Sequence, residues 1–411
     1  MRIAIQTLGT RGDVQPYVAL AKGLMGRGHD VQLSAPVQFE SFVREHAIPF
    51  VGLPGEFLAL MDTPEGKAAV AGGQGFSAGF KLLKYVRPLM IRLLDEEAAA
   101  VRAFAPDLII YHPKSIAAPH LATALGAPCM LASPLPGFTP TAAFPSPLLP
   151  FASLGPLNKI SHTLAIRGAE VLFRKELRAW RERSLGLAGR QRPAAPFGTL
   201  YAYSPHVVPK PPDWGEDVLV SGYWFLDTPD WLPDRELSAF LASGDWPIYV
   251  GFGSMPGLDP HELTSMVVEA LIRTGKRGLL ATGGGALAAD TVPSHVHMIS
   301  TAPHDRVLPL VSAAIHHGGA GTTAASLRAG LPTTIVPFLG DQPFWGRRVE
   351  QLGVGPRALD RKTLSVESIA AAIAAMDDPA MRQKANALGL AIRDEDGLGA
   401  AIGFIEARVT S

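Results

Sequence analysis

Ala313-Ala314-Ile315-His316-His317-Gly318-Gly319-Ala320-Gly321-Thr322-Thr323 is the stretch whose pattern decides the fold. Its apolar start predicts a buried strand, its glycines a tight turn, and its threonines the first turn of a helix that Gly330 and Pro332 close. Glycines let the backbone come close to a ligand, and the unpaired N–H groups at a helix start attract an anion. A bare strand-to-helix turn would need no polar side chains. Two histidines at the ligand-facing position and two hydroxyls favour a phosphate cradle instead. No Lys follows the glycines, so the spacing is not that of G-x-x-x-x-G-K-[ST], and it is not G-x-G-x-x-G.

On both sides of this stretch, short apolar runs alternate with helical periodicity. Residues 2–7 predict a strand, 14–27 a helix ended by Gly28, and 30–35 a second strand. A helix over about 87–104 leads to a buried strand at 107–111. Further on, strands at 247–252, 277–282, 313–316 and 333–337 alternate with helices at 259–274 and 322–329. This rhythm predicts an α/β protein of two doubly wound, Rossmann-like domains facing each other across a cleft. Val207-Val208-Pro209-Lys210-Pro211-Pro212 suits neither a helix nor a central strand. The expected division is therefore a first domain over 1–205, a linker over 206–234, and a second domain over 235–390. A C-terminal helix over 391–411 is expected to pack back on the first domain. Residues 72–79 predict a flexible glycine-rich loop.

Composition narrows the function classes. The chain has 411 residues with 37 basic and 37 acidic side chains, so no positive field favours nucleic acid as a partner. Cys129 is the single cysteine; no intrachain disulfide can form, and a cytoplasmic location is expected. Cys129 itself is expected to act as a small buried hydrophobe. Residues 115–158 contain no Asp, Glu, Lys or Arg, yet the prolines scattered through them exclude a membrane-spanning helix. A basic amphipathic stretch at 79–87 suits at most peripheral membrane contact, with a core-packed helix as the plainer expectation.

Two further segments carry chemistry. Pro337-Phe338-Leu339-Gly340-Asp341-Gln342-Pro343-Phe344-Trp345 follows a strand directly, where parallel sheets gather ligands. Asp341 and Gln342 suit adjacent sugar hydroxyls, although Asp before Gln-Pro is also a good helix start. Asp13 sits at the carboxyl end of the first strand. It is both a candidate general base and a candidate N-cap for the helix near Val14. His112 and His120 are candidates to assist it. Asp394-Glu395-Asp396 offers carboxylates with no accompanying ligand cluster, so no metal site is expected.

The run 316–323 followed by 340–345 resembles the nucleotide-sugar signature of the family 1 glycosyltransferases. The similarity is greatest to the sterol glucosyltransferase-like and glycopeptide-antibiotic branches. Thr7-Leu8-Gly9-Thr10-Arg11-Gly12-Asp13-Val14-Gln15-Pro16 resembles their first loop, and Leu131-Ala132-Ser133-Pro134-Leu135-Pro136 the sterol branch. The resemblance implies the GT-B fold, inversion at the anomeric carbon, no metal or other cofactor, and a nucleotide-sugar co-substrate, UDP-glucose. It implies that His317, Gly319, Ala320, Gly321 and Thr322 hold the donor phosphates and that Ser254 adds a phosphate or ribose contact. His304 would frame the uracil, Asp341 and Gln342 the hexose, and Asp13 would be the base. The chain departs at Thr301, where the plant branch stacks a Trp on uracil, and at Ala325, where it has a ribose-binding Glu.

The expected activity is hexose transfer to a hydroxyl of an apolar acceptor: a sterol, hopanoid, lipid or polyketide. The apolar 115–158 segment, with Phe138 and Phe144, suits that side. A UDP-sugar epimerase on the same fold would need no such wall, and a non-catalytic binding protein would need no base.

Overall fold

The computed structural model describes residues 1–56, 75–187, 191–255 and 257–409. The first sheet holds seven parallel strands: β1 (Arg2–Gln6), β2 (Asp30–Pro36), β3 (Phe50–Leu53), β4 (Leu108–Tyr111), β5 (Cys129–Ser133), β6 (Gly198–Tyr201) and β7 (Val218–Val220). Their order is β3-β2-β1-β4-β5-β6-β7. The second sheet holds β8 (Ile248–Gly251), β9 (Gly278–Ala281), β10 (Val296–Ile299), β11 (Ala313–His316) and β12 (Thr333–Ile335), in the order β10-β9-β8-β11-β12. Both sheets are doubly wound, and each reverses its winding direction once, between β1 and β4 and between β8 and β11.

Helices cover both faces of each sheet, which is why strands such as β4 and β8 are buried along their whole length rather than alternating. Ile3, Ile5, Leu33 and Ile110 are fully buried, and Cys129 is buried in β5 with its thiol pushed up to about 11 by desolvation. The last helix, Gly397–Val409, inserts Ala401, Ile402 and Ile405 into the same core as β1 and β2. A third apolar cluster joins the two halves: Tyr201, Tyr203 and Trp214 of the first pack with Phe344, Trp345 and Val349 of the second.

Two expectations are corrected. The linker expected over 206–234 gives up Val218–Val220, which pairs with β6 as the seventh strand of the first sheet. Within the loop expected at 72–79, residues 72–74 lie outside the described residues, and from Gly75 the chain is already helical, in Gly75–Phe104. The side chains of 79–85 in the basic stretch also lie outside the described residues. Among the described residues no helix is long and apolar enough to cross a membrane.

Candidate active site

Ligands in open α/β sheets bind beyond the carboxyl ends of the strands where the winding reverses. In the first sheet the register pairs Gln6 with Tyr111, so the loop after β1 and His112 after β4 emerge side by side. The helix Arg11–Gly26 starts before the expected Val14. Thr10 is its N-cap and Asp13 its third residue, reaching back as in a capping box. Asp13 Oδ2 accepts from the Thr10 amide at 2.8 Å, the Thr10 hydroxyl at 3.2 Å and the Lys114 ammonium at 2.8 Å. Asp13 Oδ1 faces His112 Nε2 at 3.3 Å.

The His112 tautomer follows from its other nitrogen. Nδ1 accepts from the Lys114 backbone amide at 3.1 Å, so the ring proton sits on Nε2 and points at Asp13. Tyr17 meets the imidazole edge-on at 5.8 Å between centroids, and its hydroxyl is tied to the Ala132 carbonyl. Burial lowers the His112 pKa and outweighs the pull of Asp13, so the ring is neutral at pH 7. For Asp13, burial works upward, but Lys114 and His112 together hold the carboxyl well below the usual carboxylate range. Asp13 is ionised, and 18% of its side chain is exposed to the cleft. Asp13 and His112 are thus brought together. His120 instead packs edge-on against Trp180, with its pKa pushed down to about 4 by burial.

In the second sheet the register pairs Gly251 with His316, which aligns the loop carrying Ser254 with the glycine turn. Ser254 is exposed there. The expectation that both histidines face the ligand is corrected. His316 is fully buried, its Nδ1 accepting from the Gly318 amide at 3.0 Å and its Nε2 lying 3.3 Å from the Ser326 hydroxyl. It shapes the turn. His317 is the outward one, and burial pushes its pKa down to about 4, so it is neutral. A Cβ on Gly319 would stand 2.6 Å from His317 Nε2, so glycine there keeps the imidazole edge open. Gly319 caps the helix Ala320–Arg328, whose first-turn amides at Ala320, Gly321 and Thr322 lack intrahelical partners.

His304 opens the helix His304–Val307, with Nε2 3.2 Å from the Tyr249 hydroxyl. Burial, aided by the Arg11 charge from the other domain, pushes its pKa down to about 4. Asp341 ends in the cleft with the Trp345 indole donating to it at 2.7 Å. Burial raises its pKa and the indole opposes that, while Asp13 adds to the rise and Lys114 subtracts. Those last two influences cross the cleft: the carboxylate of one domain senses the ion pair of the other. Gln342 is different. It is buried, its Oε1 accepts from the Phe338 and Leu339 amides at 2.6 and 3.0 Å, and its Nε2 lies against Met255 sulfur. Its oxygen is committed to the loop, so of the donors and acceptors expected of Gln342 for sugar hydroxyls only the N–H donors remain.

The sequence missed Lys114, Gly9 and Tyr17 as parts of this site. Gly9 has φ +129°, and a Cβ there would lie 2.1 Å from Asp13 Oδ2 and 2.7 Å from Lys114 Nζ. Glu395 of the acidic run accepts from Ser204 at 2.5 Å, and among the described residues no group of three His, Cys, Asp or Glu could hold a metal.

Residues 3–143 match the glycosyltransferase family 28 N-terminal domain, and residues 283–395 match the erythromycin biosynthesis protein CIII-like C-terminal domain. A sterol 3-beta-glucosyltransferase of Arabidopsis thaliana is 38% identical over 98% of this chain and 67% of its own length. One from Aspergillus fumigatus is 37% identical over 98% of this chain but 29% of its own. The chain thus spans about two thirds of the plant relatives and under a third of the fungal ones. The calicheamicin glycosyltransferase superposes with a TM-score of 0.71 at 20% identity, covering 99% of this chain and 97% of that one. Two facing doubly wound domains, with an anion cradle opposite a carboxylate–imidazole pair, define a glycosyltransferase of the GT-B fold. The relatives place it further: the chain belongs to the family 1 glycosyltransferases, beside the sterol 3-beta-glucosyltransferases.

Proposed function

We propose that this enzyme moves glucose from UDP-glucose to the hydroxyl of a sterol or a similarly flat apolar alcohol, inverting the anomeric carbon without a metal. The observation that carries this is Asp13, ionised and open to the cleft, within electrostatic reach of Asp341 on the donor side. The relatives' names supply the sugar and the acceptor class.

The acceptor oxygen attacks the anomeric carbon, the bond to the diphosphate breaks, and the hydroxyl proton passes to Asp13. The strongest nearby cation on that carboxylate is Lys114, whose side chain is 54% exposed. An arriving acceptor displaces Lys114, which raises Asp13 basicity at the moment it is needed. His112 keeps its hydrogen bond and fixes the carboxylate. Opposite, neutral His317, the amides of Ala320, Gly321 and Thr322, and the positive end of their helix take up charge on the departing diphosphate. Asp341 accepts from a hexose hydroxyl. A cytoplasmic location is part of the proposal, and cell fractionation checks it.

The test is nucleoside diphosphate release from UDP-glucose, UDP-galactose and TDP-glucose, with and without a panel of sterols and other apolar alcohols. UDP-glucose with a sterol should give the highest rate. Asp13→Asn should lower transfer by about 10²–10⁴-fold while calorimetry shows donor binding unchanged. Release independent of any acceptor would mark hydrolysis and defeat the proposal, and conversion of the donor into another sugar nucleotide with no acceptor and no release would favour an epimerase.

A further inference from the structure

The helix Asn158–Leu172 is built inside out. Its buried face is polar: Asn158, Ser161 and His162 are all nearly inaccessible. Asn158 Nδ2 donates to the Ala142 carbonyl at 2.8 Å, and the His162 ring nitrogens lie 3.2 and 3.0 Å from the carbonyls of Gly137 and Phe144. Its outer face carries Ile160, Leu164 and Val171, 53%, 68% and 69% exposed, at helical spacing. A solvated helix shows the opposite arrangement. Of the thirteen large hydrophobic side chains exposed among the described residues, seven fall within 148–172, Phe151 and Leu157 among them. That concentrates exposed apolar side chains in one segment, and Ile160, Leu164 and Val171 share one face of its helix, the usual mark of an interaction site.

The charge beside the patch is equally one-sided. The whole chain is neutral, yet residues 159–192 hold nine basic side chains against three acidic ones. Arg167 lies on the outer face itself, and Arg174 and Lys175 follow it in the next helix, Arg174–Trp180. All three are exposed, and among the described residues none of them makes an ion pair. Exposed aliphatics beside cations that make no ion pair among the described residues fit a negatively charged bilayer, where each basic group near the surface adds to the attraction.

We propose that the outer face of the 158–172 helix docks this enzyme on an anionic lipid bilayer. The location suits an acceptor drawn from that bilayer, a part of the inference that rests on the apolar-acceptor function proposed above. The inner face of the same helix holds the 137–144 segment, and Phe144 reaches Phe344 of the donor domain at 5.6 Å. Docking therefore holds the 137–144 segment one helix away from the lipid.

The test is flotation of the full chain with phosphatidylcholine vesicles and with vesicles in which phosphatidylglycerol replaces a third of the lipid. The protein should float with the anionic vesicles and at least ~10-fold less with the neutral ones or in high salt. Leu164→Glu with Val171→Glu, and separately Arg174→Glu with Lys175→Glu, should each weaken vesicle binding at least ~10-fold. Both pairs are exposed, so transfer to a detergent-dispersed sterol should stay at the wild-type rate. Wild-type protein that stays unbound, or variants that float as well as it does, would overturn the docking face. So would sedimentation showing a dimer that the Glu variants dissociate. Vesicle binding lost in the variants, with no sugar transfer by any form of the protein, would keep the docking face and overturn the proposed function.

Discussion

Gly9→Ala puts one methyl group beside the proposed base and touches nothing on the donor side. With the backbone unmoved, the new Cβ would stand 2.1 Å from Asp13 Oδ2 and 2.6 Å from its carboxyl carbon. To reach ordinary contact near 3.4 Å the carboxylate must retreat by about 1.3 Å. A displacement on the order of 1 Å at a reacting group costs about 10²-fold in rate. The conformation adds a second cost, since φ +129° strains an alanine by roughly 1–3 kcal/mol. The expected result is a kcat about 100-fold lower with donor affinity by calorimetry unchanged and the melting temperature down by several degrees. A double-mutant cycle decides the mechanism. In an Asp13→Ala background the methyl has no carboxylate to displace, so Gly9→Ala should then cost less than about threefold. A Gly9→Ala enzyme with native kcat, or an equal loss in both backgrounds, would refute the argument.

Three other outcomes follow from the site. His317→Ala should lower transfer by about 10²-fold or more through poorer stabilisation of the departing diphosphate, seen as a fall in kcat for UDP-glucose. Gln342→Ala leaves the Phe338 and Leu339 amides without their acceptor, and should destabilise the fold by about 1–3 kcal/mol in urea unfolding. A purely sugar-binding role would leave that stability untouched. Glu97 is fully buried against Ser115, and burial pushes its carboxyl up to about 8 from an ordinary value of 4.5. Between those values the native state holds a proton that the unfolded chain has lost. The stability that Glu97 contributes is therefore complete below about pH 4.5 and falls, by up to about 1.4 kcal/mol per pH unit, as pH rises to 8. Glu97→Gln should remove that slope in melting curves taken from pH 5 to 8.

β1, β8 and β11 were legible as apolar runs between turn residues, whereas β3, β5, β6 and β10 were not singled out. Neither was β7, because Val218–Val220 is a three-residue edge strand close to prolines that argue against a sheet. The glycine turn after β11 announced itself through composition, but the division of labour between His316 and His317 depends on which ring faces inward. That is a property of the strand's pleat and of Ser326 ten residues on. Asp13 was visible as a helix-start carboxylate. Its partner Lys114 lies 101 residues away and comes close only through the β1–β4 register, which no local pattern encodes. Gln342 was legible as polar and well placed. Its commitment to two backbone amides shows only once the 338–342 loop is closed.

The helix Gly397–Val409 carries a consequence for biogenesis. Ala401, Ile402 and Ile405 complete the packing around Ile3 and Ile5, so the core of the first sheet waits for residues made about 400 positions later. Until those residues leave the ribosome, the amino-terminal half exposes an unfinished apolar surface, while the second sheet can already close. Chains ending at residue 396 should therefore be cleaved by protease in the first half and spared in the second.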